Sequence, residues 1–175
     1  MICTAPSPQA VELLPDSFVY HSDIKATQMR ACFSLMLGFE HNLSLEFEAA
    51  HVTDSDVSWI AVNSNKPKRA DDFTLMVHSS EEYAEAHIDD DREKVMQHLI
   101  SETSRIIGCD VSPANYKTIH GWRYANNDKR DQISSIFLDQ KHKLAACGDW
   151  CLGGRVEGAF TAAYNLALKL KESIL

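Results

Sequence analysis

The sequence predicts an α+β fold: a mixed, mainly antiparallel sheet covered by helices, followed by a C-terminal strand, loop and helix. Three observations predict it. Four short segments rich in β-formers follow one another between residues 32 and 78, separated by glycine, asparagine, proline or acidic turns. A capped amphipathic helix comes after them. The stretch CGDWCLGGRVEGAFTAAYNLA, residues 147–167, then runs from apolar residues through a Gly-Asp pair and two adjacent glycines into a helix with alanines along it.

Met1 to Thr4 is short and apolar, like the end of a buried strand, and Pro6 and Pro8 lead into a short helix through Ala10 to Leu14. Cys32–Phe39, Leu43–Glu48, Val57–Asn63 and Phe73–His78 are the four strands. In the second, alternation places Leu43, Leu45 and Phe47 on one face and Ser44, Glu46 and Glu48 on the other. Ser79-Ser-Glu-Glu82 is a capping box for a short helix, and Asp90-Asp-Arg-Glu93 repeats the device. The second helix, Asp91 to Ile107, carries Val95, Met96, Leu99, Ile100, Thr103, Ile106 and Ile107 at three- and four-residue spacing until Gly108 ends it.

Tyr116 to Ala125 reads as a further strand, Asn126 to Arg130 as an exposed loop, and Lys143 to Cys147 as a short buried strand. The last helix, Val156 to Lys171, has Val156, Ala159, Phe160, Ala163, Leu166, Ala167 and Leu170 on its expected buried face. The composition shifts after Ala125, where a domain boundary is expected.

At 175 residues and 45% apolar content the chain can bury a substantial core. Its 25 acidic residues against 17 Lys and Arg exclude a general nucleic-acid binder, which needs a concentrated basic surface. The basic run Lys66 to Arg69 reads as a solvated turn. No apolar stretch approaches the roughly 20 residues of a membrane-spanning helix, and MICTAPSPQAVELLP lacks the basic leader of a signal peptide. Cytoplasm is the expected compartment, and the odd count of five cysteines in apolar surroundings suits reduced thiols. Cys147, Cys151 and His142 match no zinc spacing.

The glycine segment has a chemical reading and a plain one. Amides in the first turn of a helix lack intrahelical partners, the macrodipole adds partial positive charge, and Gly153 and Gly154 let a ligand approach the backbone. An anion or an electron-rich carbonyl suits that place, and Asp149 can accept hydrogen bonds from sugar-like hydroxyls. Equally, the glycines can serve packing alone, Asp149 can cap the loop, and Glu157 can simply favour the helix N-terminus. The segment matches neither G-x-G-x-x-G nor a Walker A loop.

The segment GDWCLGGRVEGAF closely resembles the C-terminal FAD-binding segment of the renalase-like branch of the flavin amine oxidase superfamily. TAPSPQAVELLP, CFSLMLGF, WIAVNSNKPKR, LMVHSS with a helix after it, and GWRYA follow in that family's order, so the resemblance runs from Ile2 to Leu170. It implies a sheet of the flavin amine oxidase substrate-domain type plus a C-terminal piece of an FAD-binding domain. The expected organisation is a crossover strand and helix from the FAD-binding domain in 1–15, a substrate domain in 16–125 and the C-terminal FAD-binding segment in 126–175.

By the same resemblance the cofactor is FAD, held in part by Gly148, Asp149, Gly154, Arg155, Val156 and Glu157. Asp149 would meet the ribityl or pyrophosphate region, and the amides around Arg155 to Glu157 the pyrimidine end of the flavin. The implied activity is oxidation of a reduced nicotinamide-like or amine substrate by hydride transfer to flavin, with dioxygen as reoxidant. Asn63, His78, Trp122 and Tyr124, together with Lys66, fall in landmarks that line the substrate side. Each also has a plain reading: His78 bonded to the following turn, Trp122 and Tyr124 as core, Asn63 as a turn cap.

The family begins with a G-x-G-x-x-G turn that holds the pyrophosphate, and this sequence contains none. A dinucleotide-binding half of ~150 residues is therefore an expected partner, and this chain by itself is expected not to retain FAD. Apolar surface left uncovered would favour a homo-oligomer, and the alternative to a piece of an enzyme is a non-catalytic remnant that acts as a binding or self-assembly module.

Overall fold

The computed structural model describes residues 1–69, 72–127 and 134–174, with side chains up to 172. In chain order the elements are β1 (Ile2–Cys3), α1 (Ser7–Leu13), α2 (His21–Ala26), β2 (Met29–Phe39), β3 (Ala49–His51), β4 (Val57–Val62), β5 (Phe73–Ser79), α3 (Glu81–His87), α4 (Arg92–Ile107), β6 (Tyr116–Asn127), β7 (Phe137–Asp139), β8 (Leu144–Ala146) and α5 (Val156–Ile174). Short 3-10 turns occupy Asn63–Asn65 and Asp149–Cys151. The architecture is α+β with mainly antiparallel pairing. It divides into a central unit, Ala31–Arg123, and a terminal unit formed by Met1–Arg30 with Tyr124–Leu175.

The central unit is built on a five-stranded sheet of order β3-β4-β5-β2-β6. Strand β2 pairs antiparallel with β5, Ser34 opposite His78 through Phe39 opposite Phe73, and β4 pairs antiparallel with β5. Alternation along β2 sends Ala31, Phe33, Leu35, Leu37 and Phe39 into the core. On α4 the residues Val95, Leu99, Ile100 and Thr103 are buried against the same core, with Met96, Ile106 and Ile107 packed at its margin. Leu99 is fully buried, so truncating it to alanine costs about 2–5 kcal/mol. Asp91, and not the Asp90 of the expected capping box, caps the helix by accepting from Lys94 N at 3.1 Å, and Gly108 ends it in the left-handed region at φ 67°.

Three expectations need correction here. Residues Leu43–Glu48 form no strand: Ser44 takes φ 51° and its N–H donates to Asn42 Oδ1 at 2.8 Å. Leu43, Leu45 and Phe47 still pack against the core, so the alternation is real although no strand pairs with it. The strand beyond it is the three-residue β3. The cap of α3 is Ser80, whose Oγ accepts from Tyr83 N at 3.2 Å, and not Ser79. Ser79 Oγ instead accepts from Phe33 N at 2.9 Å, satisfying a buried amide just past the β2–β5 ladder. Asn126 and Asn127 belong to β6 and not to a loop, while the expected loop residues 128–130 lie outside the described residues.

The terminal unit has a three-stranded sheet of order β1-β8-β7, with β1 parallel and β7 antiparallel to β8. Cys3, Ala10, Leu14, Phe18, Ile24, Phe137, Ala146, Trp150 and Leu166 are buried together there. Residues 16–30 thus lie in this unit, where Phe18 and Ile24 are part of the core. The first helix starts earlier than expected, at Ser7, whose buried hydroxyl donates to Thr27 O at 3.1 Å.

The buried face of α5 differs from the expected one. Gly158, Ala162 and Leu166 face inward at four-residue spacing, whereas Val156, Ala159, Phe160, Ala163 and Ala167 are exposed. Glu157, Thr161, Asn165 and Lys169 mark one polar side of the helix, but apolar or small residues fill the rest of its circumference, so periodicity alone does not select the covered side. Small residues decide it: a Cβ on Gly158 would stand 3.2 Å from Leu152 O, so the glycine allows the helix to close on the preceding loop. Val156 (86% exposed), Phe160 (73%) and Tyr164 (56%) are left as an apolar stripe, continued by Leu168.

The cysteines are all free. Cys3, Cys32, Cys147 and Cys151 are buried and Cys109 is half-buried. Burial pushes the Cys32 and Cys147 thiols up, and Cys151 up to about 12. Among the described residues no helix is long and apolar enough to cross a membrane.

Candidate functional site

In the terminal unit, β8 leads into the glycine segment through Gly148, which is fully extended. Any Cβ there would overlap the Trp150 indole. That indole donates Nε1–H to Ala5 O at 3.0 Å and stacks on Phe137 at 5.7 Å, which pins the segment to the core. Cys151 N donates to Gly148 O, and both Leu152 N and Gly154 N donate to Asp149 O, folding the chain into a tight turn before α5. Gly153 (φ 90°) and Gly154 (φ 73°) supply the left-handed backbone that reverses it.

The Asp149 carboxylate is half-buried, and its side chain makes no hydrogen bond among the described residues. The loop is therefore closed by the Asp149 carbonyl and not by its carboxylate. Space around Gly153 is open within 4 Å of where a Cβ would stand. Arg155, Val156 and Glu157 are exposed at the first turn of α5, with backbone amides of the kind that lack intrahelical partners.

Asn127 is a residue of this segment that sequence reasoning missed. It ends β6, donates Nδ2–H to Trp150 O at 3.2 Å, and lies against Gly154. Its Oδ1 is buried and has no hydrogen-bond partner among the described residues. Nothing in the local pattern of Asn126-Asn127 announces this role, because the contact joins positions far apart in sequence.

In the central unit the open face of the sheet carries the remaining candidates. Trp59 pairs with His78, His78 pairs with Ser34, and the Trp122 indole donates Nε1–H to Ser34 Oγ at 3.1 Å. Trp59, His78, Ser34 and Trp122 thus form a row across β4, β5, β2 and β6. A bulge between Val57 and Trp59 turns Trp59 onto this face. Trp122 is 52% exposed and packs on His120 at 4.1 Å, so it is not core.

His78 is half-buried, and its imidazole has no hydrogen-bond partner among the described residues, in contrast to a turn-bonded histidine. Burial, and then the Lys66 ammonium, hold its pKa below the ordinary histidine value, so the ring is neutral at pH 7. Asn63 opens the 3-10 turn at the end of β4, with its carbonyl accepting from Lys66 N. The structure brings His78 and Trp122 together through Ser34, with Lys66 close enough to act on His78. Tyr124 lies two residues further along β6, in the terminal unit.

No known family profile matches the sequence. The fold is shared with solved structures of oxidases. One is a protein from Exiguobacterium sp. 255-15 assigned as a protoporphyrinogen oxidase, with a TM-score of 0.77 and 14% identity over 98% of this chain and 41% of that one. Another is cyclohexylamine oxidase from Brevibacterium oxydans IH-35A, with a TM-score of 0.66 and 14% identity over 97% and 43%. A third is putrescine oxidase bound to putrescine, with a TM-score of 0.62 and 13% identity over 95% and 42%. The class defined is one of fold, common to FAD-dependent oxidoreductases and amine oxidases. This chain spans about two-fifths of the length of these structures.

Proposed function

We propose that the chain is the C-terminal part of a renalase-like, FAD-dependent oxidoreductase, acting on an amine or a reduced nicotinamide-like substrate together with a dinucleotide-binding half. The observation that carries this is the match of 98% of the chain to an oxidase fold, with Gly153 and Arg155 to Glu157 exposed where the glycine turn enters α5. Bound FAD would supply the two-electron acceptor for a hydride from the substrate, with dioxygen as the final oxidant.

The residues present fit such a cofactor. Gly153, with no atom within 4 Å of where a Cβ would stand, keeps a side chain away from an approaching ring or sugar, and the unengaged Asp149 carboxylate can accept from ribityl hydroxyls. Amides at Arg155, Val156 and Glu157, at the positive end of α5, suit the pyrimidine carbonyls of the flavin, where negative charge grows on reduction. The orphaned Asn127 acceptor beside Gly154 is a further polar group that a bound cofactor could reorganise. In the central unit, Trp122 and Trp59 offer flat apolar walls on the sheet face. Neutral His78 supplies hydrogen bonding without charge, and Asn63 is suited to orient a carboxamide. A cytoplasmic location belongs to the proposal and fits the reduced thiols.

Co-expression with the dinucleotide-binding half of a renalase-like protein tests the reading. A yellow complex that keeps flavin through gel filtration is expected, whereas this chain purified alone is expected to be colourless. A stable complex without flavin would overturn it. The α5 stripe of Val156, Phe160, Tyr164 and Leu168 favours a second reading, a non-catalytic self-assembling remnant, which a flavin-free oligomer indifferent to the added half would support.

A further inference from the structure

Tyr83, on α3 in the central unit, is the start of a second candidate site. Its ring is buried, with 8% of the residue exposed, and meets Phe33 edge-on at 6.2 Å. It also packs on the imidazoles of His87 at 4.4 Å and His98 at 4.8 Å, the latter nearly parallel. The hydroxyl has no hydrogen-bond partner among the described residues, and the residue opens on a cleft of about 420 Å³ lined also by Asp56, Glu82, His87 and His98.

The chemistry of that lining is one-sided. His98 Nε2 is 2.7 Å from Asp56 Oδ2, and His87 Nδ1 is 2.7 Å from Asp90 Oδ2. The Asp56 and Glu82 carboxylates and the Tyr83 oxygen can all accept. Burial, followed by the charges of Asp56 and Asp90, pushes the Tyr83 pKa up, so the phenol stays protonated with negative potential around it. Among the described residues no three His, Cys, Asp or Glu side chains gather as metal ligands.

We propose that the Tyr83 cleft binds a small organic cation bearing N–H donors, an ammonium or a guanidinium, held by Glu82, Asp56 and the Tyr83 oxygen. An acceptor-rich, aromatic-backed cleft of negative potential selects donors and positive charge together. The proposal is independent of the flavin reading, since every group lies within the central unit and none belongs to the sheet-face row.

Calorimetric titration of the full chain with agmatine tests it, with tetramethylammonium as a cation that has no N–H. Saturable agmatine binding is expected, at least about tenfold tighter than tetramethylammonium, and weakened about tenfold by Tyr83→Phe and by Glu82→Gln. Tyr83→Phe keeps the ring and its core contacts. Should it fail to fold, Glu82→Gln decides alone, and Glu12→Gln in the terminal unit controls for a general loss of charge. Equal binding of the two cations, unchanged agmatine affinity in the folded cleft variants, or binding of zinc but not agmatine would each overturn the proposal.

Discussion

Gly154 and Asn127 touch so closely that no side chain fits between them: a methyl group on Gly154 would overlap Asn127 Oδ1. The glycine is also held at φ 73°. Both constraints predict that Gly154→Ala destabilises the fold by about 1–3 kcal/mol. Gly153→Ala meets no atom within 4 Å and bears only the backbone term, about 1 kcal/mol. Urea unfolding of the two variants separates steric from conformational cost, and equal losses would show that the Asn127 contact is unimportant.

Asp149→Ala removes a carboxylate that makes no hydrogen bond among the described residues, so the apoprotein should melt at the wild-type temperature. In the flavin-loaded complex the same change leaves cofactor hydroxyls unpaired and weakens flavin affinity roughly tenfold to a hundredfold. A lowered apoprotein melting temperature with unchanged flavin affinity would remove Asp149 from the cofactor site.

His78 should titrate below the ordinary histidine range, and Lys66→Gln should raise its pKa part of the way back, since burial is the larger cause. Because the folded pKa is depressed, the folded state binds fewer protons than the unfolded chain below about pH 6.5. Stability from this group is complete above that pH and is lost as pH falls through the folded pKa. NMR titration of the imidazole resonances measures the shift directly, and an unmoved His78 in the Lys66 variant would refute the electrostatic part.

Phe160→Asp places a charge in the middle of the exposed α5 stripe. If that stripe drives self-association, the variant should be monomeric by sedimentation at concentrations where wild type associates. Its melting temperature should hardly change, because Phe160 is outside the core. Association that survives the substitution would move the contact elsewhere.

The elements with a local rule behind them were legible in the sequence. Helix α4 carried its apolar stripe and Gly108, with its cap one residue beyond the Asp90 position of the expected capping box, and strands β2, β4 and β5 carried dense β-formers between turns. What failed were choices that depend on distant neighbours. The alternation of Leu43, Leu45 and Phe47 recorded burial truthfully, but pairing needs a neighbouring strand and Ser44 turns the backbone away. The α5 sequence allowed several faces, and only the approach of Leu152 to Gly158 selected one. In the candidate sites, His78 and Trp122 were named from sequence, whereas Ser34 between them and Asn127 beneath the glycine turn were not. Both owe their places to contacts across strands or between segments remote in the chain.

The distribution of thiols also makes the chain a ready-made reporter of its own breathing. Cys109, next to the Gly108 stop of α4, is the accessible cysteine, whereas Cys3, Cys147 and Cys151 lie in the terminal unit's core and Cys32 in the central sheet. Alkylating reagents attack the thiolate, and in the folded chain Cys151, at about 12, offers almost none near neutrality. A short pulse of iodoacetamide should tag Cys109 alone. Longer exposure should mark the remaining sites at the rates at which each unit opens, giving two clocks in one unmodified polypeptide.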